Sequence, residues 1–176
     1  MRQTSYLQWA IENTRTAWWH DSAEPSELER GLERGAVGVT TNPFLLHLAV
    51  SKNKDKWGKE IADALCAKSP QDCELPEPET KAERLMSVAI KHAARRLEPI
   101  FEASAGKMGY VCAQVNPALA AEREYMLSAA RRFHAWAPNI AVKLPATAAG
   151  LDVLEDCTAE GITATLTISY TVPQVI

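Results

Sequence analysis

Lys143 interrupts the apolar run IAV-K-LP, where a strand buried in a parallel sheet stays hydrophobic. A lysine in that setting reaches out to solvent, pairs with a carboxylate, or loses its charge through desolvation. The last outcome leaves a neutral amine able to attack a carbonyl and form an imine. Other polar residues stand at comparable places: Asp21 after TAWWH, Thr41 and Asn42 after AVGVT, Gln114 and Asn116 in YVCAQVNP, and Thr165, Thr167 and Ser169 along ITATLTIS. Together they form a catalytic inventory. Taken singly, each has a plainer reading. Lys143 can be a strand-end lysine in water, Asp21 a turn residue, Asn42-Pro43 a turn dipeptide, Gln114 a partner for backbone donors, and Thr167 an ordinary strand residue.

These residues can cooperate only if the chain gathers strand ends. Residues 15–21 read as a short strand with a polar tip. Ser26 and Glu29 match a capping box that opens a helix of about two turns, which Gly35 stops. Residues 36–42 read as a second strand ending near Asn42, because Pro43 cannot continue a ladder but suits the first turn of a helix. Helical spacing runs from Phe44 to about Cys66, interrupted by SKNKDKWGKE. The acidic, proline-rich segment 67–80 reads as a solvated connection. Met86, Ile90, Ala93, Leu97 and Ile100 predict a helix over 80–103, closed by Gly106.

The second half alternates more plainly. Residues 110–117, 139–146 and 162–169 are strand-like. Between them lie helical stretches over 118–136 (Leu119, Met126, Ala129, Phe133 and Trp136 on one face) and 147–160 (Leu151, Leu154 and Cys157), the latter ended by Gly161. The last residues, TVPQVI, read as the entry to another helix, with Thr171 as cap and Pro173 in the first turn. Strands alternating with helices argue for a parallel α/β architecture of about five strands. In such folds the chemistry sits at the carboxyl ends of the strands.

The composition narrows the function classes. The 176 residues are 47% hydrophobic and 23% charged, enough for a sizeable core in one domain over 1–176. Lys and Arg number 19 against 22 Asp and Glu, a net charge of -3, and no basic stripe interleaved with aromatics suggests nucleic acid. The opening MRQTSYLQWAIENTRT lacks the apolar segment of a secretory signal, and no apolar run approaches the ~18 residues of a membrane span. Cys66, Cys73, Cys112 and Cys157 are scattered, without zinc-site pairs or the density of a disulfide scaffold. A cytoplasmic location is therefore expected. The loops hold neither G-x-G-x-x-G nor G-x-x-x-x-G-K-[ST], which disfavours a Rossmann-type phosphate site.

Three segments carry a resemblance to a known family: GVTTNPFLL at 38–46, QVNPALAAEREYM at 114–126, and NIAVKLPATAAGLDVLEDCTAEGIT at 139–163. The chain resembles the transaldolase family, which includes the fructose-6-phosphate aldolase branch. The resemblance implies a (β/α)8 TIM barrel of the class I aldolase type, of which this chain supplies roughly the first five βα units. It implies Schiff-base transfer of a dihydroxyacetone unit between sugar phosphates, in carbohydrate metabolism of the pentose phosphate type, with no metal or organic cofactor. Lys143 would form the imine, and Asp21 would move the proton as the carbon–carbon bond breaks. Asn42 would bind substrate hydroxyls and Thr167 would hold the catalytic water, with Thr41, Thr165 and Ser169 as further substrate contacts.

Two positions depart from the family pattern. Where most transaldolases have a glutamate, this chain has Gln114, whose amide can orient water but cannot carry a proton. Glutamine there is similar to the fructose-6-phosphate aldolase branch, so simple aldol cleavage and addition is the alternative activity. Thr165 stands where many transaldolases have another asparagine. Length is the third difference, since a full barrel takes eight strands and typically ~250 residues. A further stretch of chain, a second polypeptide or self-association must cover the open strand edge. A partial barrel serving as a non-catalytic assembly module is the competing reading.

Overall fold

The computed structural model describes residues 6–67 and 77–172. It contains five strands: β1 (Trp19–His20), β2 (Gly38–Val39), β3 (Tyr110–Gln114), β4 (Ile140–Pro145) and β5 (Ala164–Thr167). They form one parallel sheet in the order β1-β2-β3-β4-β5. Spatial order follows chain order throughout, without the reversal that creates the switch point of a doubly wound sheet. Helix α1 (Tyr6–Asn13) precedes β1, and α2 (Pro25–Glu33) joins β1 to β2. Helices α3 (Pro43–Lys52), α4 (Gly58–Cys66) and α5 (Glu77–Ala103) lie between β2 and β3. Helix α6 (Arg123–His134) joins β3 to β4, and α7 (Ala148–Ala159) joins β4 to β5. This single winding is that of a barrel sector.

Parallel strands in register point paired residues to the same face. Val111, Ala113, Val115, Ile140, Val142 and Leu144 face the helices, and all are essentially inaccessible to solvent. They meet Leu46, Ile90, Ala93, Leu97, Met126, Phe133 and Val153 in one apolar core between sheet and helix layer. The opposite face carries Cys112, Gln114, Ala141, Lys143, Thr165 and Thr167, as the pairings Gln114↔Lys143, Lys143↔Thr165 and Pro145↔Thr167 require. The greasy residues hold the sheet to its helices. The polar ones are gathered on the concave side.

Several helix boundaries differ from the sequence expectation. Helix α2 starts at Pro25, and its cap is Glu24, whose carboxylate accepts from Glu27 N at 2.9 Å. Ser26 is bonded to that same carboxylate, and Glu29 forms a fork with Arg96 instead of closing a capping box. The expected strand 15–21 is reduced to two ladder residues, because Ser22 accepts from Glu24 N and turns the chain into α2. The stretch from Phe44 to Cys66 is two helices, broken around Asn53, which turns back on the Ala49 carbonyl. Residues 77–79, placed by sequence in the solvated connection, belong to α5; residues 68–76 and 173–176, with the remaining expectations for them, lie outside the described residues. The helix expected over 118–136 begins at Arg123, after a 3-10 turn at Pro117–Leu119 that the Asn116 side chain caps. Leu151, expected on the buried face of α7, is 46% exposed. Helix α1 has no counterpart in the sequence reading; none of its residues is buried, so its pattern gave no core face to detect. Among the described residues no helix is long and apolar enough to cross a membrane.

Candidate active site

The carboxyl ends of β2 to β5 surround a cavity of about 530 Å3. Its polar wall consists of Asn42, Gln114, Lys143 and Thr167, and its apolar wall of Pro43, Phe44, Val115, Pro117, Pro145 and Ile168. Four residues expected to act together from sequence thus share one space. Each arrives there for a local reason. Lys143 sits between the buried Val142 and Leu144, so strand alternation turns it to the concave side. Gln114 is its direct register partner on β3. Asn42 is the N-cap of α3, its Oδ1 accepting from Leu45 N at 2.9 Å, and Pro43 fills the first helical position. That leaves the Asn42 Nδ2 group without a protein partner among the described residues.

The Lys143 amine is half-buried and makes one long bond, donating to the Thr41 carbonyl at 3.4 Å. Among the described residues no carboxylate pairs with it. Beneath it, the Thr41 hydroxyl donates to the Cys112 carbonyl at 2.6 Å and is fully buried. Thr41 therefore ties β2 to β3 and offers its carbonyl to the amine, and its hydroxyl is not free for a ligand.

Asp21 stands at the tip of β1, exposed to solvent, and accepts a hydrogen bond from the Thr40 hydroxyl at 2.5 Å. It does not line the cavity itself, but its charge and that of Lys143 both reach the Cys112 thiol. Burial pushes that thiol up to about 11, with Asp21 adding to the rise and Lys143 opposing it. Cys112 thus feels both the carboxylate and the amine from the concave face of β3. Thr40 is the residue that sequence reasoning passed over. Its signal was available in GVTT, where Val39 packs inward on the helices, so alternation sends Thr40 to the face that Asp21 occupies.

Two further expectations change. Thr165 is on the concave face beside Lys143 but does not line the cavity. Ser169 lies beyond β5, because Ile168 adopts a left-handed backbone at φ 68°, rare for a β-branched residue, and breaks the ladder. The end of β4 is fixed from behind by α7. Thr147 caps that helix through Gly150 N and also donates to the Ala120 carbonyl. A Cβ on Gly150 would lie 1.9 Å from the Pro145 carbonyl oxygen, so only glycine lets α7 approach so closely.

Comparison with known proteins decides the family. Residues 18–176 match the family model described as Transaldolase/Fructose-6-phosphate aldolase. The chain belongs to this family. It is similar to the transaldolase of Thiobacillus denitrificans (33% identical, covering 81% of this chain and 38% of that protein). It is also similar to the transaldolase of Neisseria gonorrhoeae (30% identical, 87% and 42%) and to transaldolase 1 of Streptomyces avermitilis (31%, 76% and 34%). The chain thus spans about two-fifths of the length of these transaldolases. The cavity described above occupies the end of the sheet where barrel enzymes place their chemistry.

Proposed function

We propose that Lys143 forms a Schiff base with a ketose and that the protein transfers a dihydroxyacetone unit between sugar phosphates as a transaldolase. The observation that carries this reading is the cavity shared by Lys143, Gln114, Asn42 and Thr167, with the Asp21–Thr40 pair beside it. Attack by the Lys143 nitrogen on the ketose carbonyl, with loss of water, gives the iminium, an electron sink for the neighbouring carbon–carbon bond. Asp21 takes the proton from the hydroxyl as that bond breaks and returns it on addition to the acceptor aldehyde. Asn42 offers its open Nδ2 group to substrate hydroxyls. Gln114 and Thr167 orient the water that forms and hydrolyses the imine, and Thr165 and Ser169 contact the substrate once it is bound. No metal or organic cofactor is needed for this sequence of steps. Further strands complete the barrel over the two open sides of the sheet, supplied by more of the same chain, a second chain or another copy. The free thiols of Cys66, Cys112 and Cys157 fit a reducing cytoplasm.

Borohydride reduction in the presence of dihydroxyacetone, followed by peptide mass mapping, tests the reading. An adduct on Lys143 that Lys143→Ala abolishes is expected; an adduct on a different lysine overturns the assignment. Absence of any adduct favours the assembly-module alternative. The second reading, aldol cleavage with release of free dihydroxyacetone, is favoured by the amide at Gln114. In the full-length protein Gln114→Glu should raise transfer to an added aldose phosphate relative to release, and an unchanged ratio would place that choice elsewhere.

A further inference from the structure

Behind the candidate site lies a second cavity of about 180 Å3, enclosed by the first turns of α5, the loop after β3, and α6. Gln114 and Pro43 line both cavities, so β3 and the start of α3 form their common wall. On the far side of the smaller cavity is Glu79, in the first turns of α5. Its Oε2 atom is buried and makes no hydrogen bond in the structure. A buried carboxylate oxygen without a partner is costly, and water in the adjoining cavity can satisfy such a group where polar side chains meet it. At roughly 30 Å3 per molecule the cavity has room for several waters. Asn116 and Tyr125 supply additional polar walls.

Imine chemistry needs a group of this kind. Formation and hydrolysis of the imine each move protons between oxygen and nitrogen, and an amide at 114 can hold a water but not exchange its proton. Asp21 is engaged with Thr40. We propose that Glu79 is the proton-relay carboxylate for imine formation and hydrolysis, acting through water held between it and Gln114. This rests on the Schiff-base reading above. In hydrolysis, the water oxygen forms a bond to the iminium carbon, whose C=N pair moves to nitrogen. Through the water held at Gln114, Glu79 takes up one proton from that oxygen and delivers one to the Lys143 nitrogen. The C–N bond then breaks with its electron pair going to nitrogen, and the ketose C=O forms. Glu79 takes the remaining hydroxyl proton and passes it to the amine, ending as it began.

The ionisable and charged groups around this relay are few. Glu83, one turn further along α5, is held by the Arg132 guanidinium in a two-bond fork at 2.8 and 2.9 Å, so it is not the open carboxylate. Burial and then the Glu83 charge push the Tyr125 phenol up from its ordinary value, so it stays protonated. Helix α3 contributes Pro43 and β3 contributes Gln114, neither of which titrates.

The test measures the rate of approach to the borohydride-trapped adduct with dihydroxyacetone, from pH 4 to 8, in the full-length protein. Glu79→Gln should leave the final adduct level on Lys143 unchanged, because a relay acts equally on both directions. It should slow the approach by about 10²-fold or more. Glu79→Asp should recover part of the rate, and so should Gln114→Glu added to Glu79→Gln. Circular dichroism of each variant reports the fold, and Glu79→Asp keeps the carboxylate should the amide variant unfold. An adduct forming at the wild-type rate in Glu79→Gln overturns the relay and leaves the Schiff-base reading intact. A wild-type protein with no adduct at all overturns both.

Discussion

Replacing Gly150 with alanine should damage both the fold and the site through a single contact. The new Cβ would stand 1.9 Å from the Pro145 carbonyl oxygen and 3.1 Å from its carbon. Ordinary contact needs ~3.4 Å, so α7 and the end of β4 must separate by roughly 1.5 Å, a larger insult than the single-methylene overpacking that costs ~1–3 kcal/mol. Alanine in place of a helical glycine returns up to ~1 kcal/mol through helix propensity. The net expectation is a loss of about 2 kcal/mol or more, read as a lower urea midpoint with an unchanged slope. Because Pro145 is two residues from Lys143 on the same strand, the displacement also moves the amine. A misplacement of ~1 Å commonly costs ~10²-fold in rate. The assay is urea unfolding together with the rate of borohydride trapping on Lys143. A variant as stable as the parent, or more so, trapping at the same rate, would refute the idea that this glycine sets the position of the lysine's strand.

Thr40→Val removes the hydrogen bond to Asp21, a charge-assisted contact of ~1.5–3 kcal/mol; bond cleavage should slow by about 10-fold or more while the trapped imine level holds, and an unchanged cleavage rate would mean Thr40 does not position the carboxylate. The two forked ion pairs should behave differently: Glu83→Gln takes the carboxylate charge away from the Arg132 guanidinium, whose side chain is only 10% exposed, and costs ~3 kcal/mol. Glu29→Gln breaks the half-exposed pair with Arg96 and costs under ~1 kcal/mol; equal losses in urea unfolding would contradict this. Burial raises the Cys112 thiol from about 9 to about 11, so its contribution to stability is fully present below pH 9 and is lost as the pH rises to 11, where the folded form also ionises. Cys112→Ala should flatten part of that alkaline decline, and an identical decline would rule the thiol out as its source. Iodoacetamide at pH 8 should label the exposed Cys66 well before Cys112, which peptide mapping can score.

The strands were legible because their two faces have different chemistry. In β4 the apolar Ile140, Val142 and Leu144 alternate with Ala141, Lys143 and Pro145, and a lysine in that company stands out without any structure. Helix α5 was legible for the same reason, through a stripe that meets the sheet. What the sequence concealed were features set by contacts distant in the chain. The Thr41 hydroxyl is occupied by a carbonyl 71 residues away, a partner that nothing in TTNP announces. The Glu24 cap was hidden behind a better-known pattern at Ser26 and Glu29, because the partner that removes Glu29 from that pattern, Arg96, lies 67 residues on. Glu79 sat among other acids in a segment whose composition reads as solvated, and only the packing of α5 and α6 buries its oxygen.

The sheet in which every strand lies beside its predecessor also governs how the chain can assemble during synthesis. When β3 leaves the ribosome, β2 is already there to receive it, and the same holds for β4 against β3 and β5 against β4. After β1, no strand waits for a partner encoded later, so pairings close over short stretches of chain except where α3, α4 and α5 intervene before β3. Local closure of this kind favours rapid folding and shortens the time that apolar strands stand unprotected. β3 packs mainly on α5 and β4 mainly on α6, helices that precede them in the chain, so the apolar layer grows with the nascent chain. The concave polar side is left to the end, and the residues that would act on a ketose come together last.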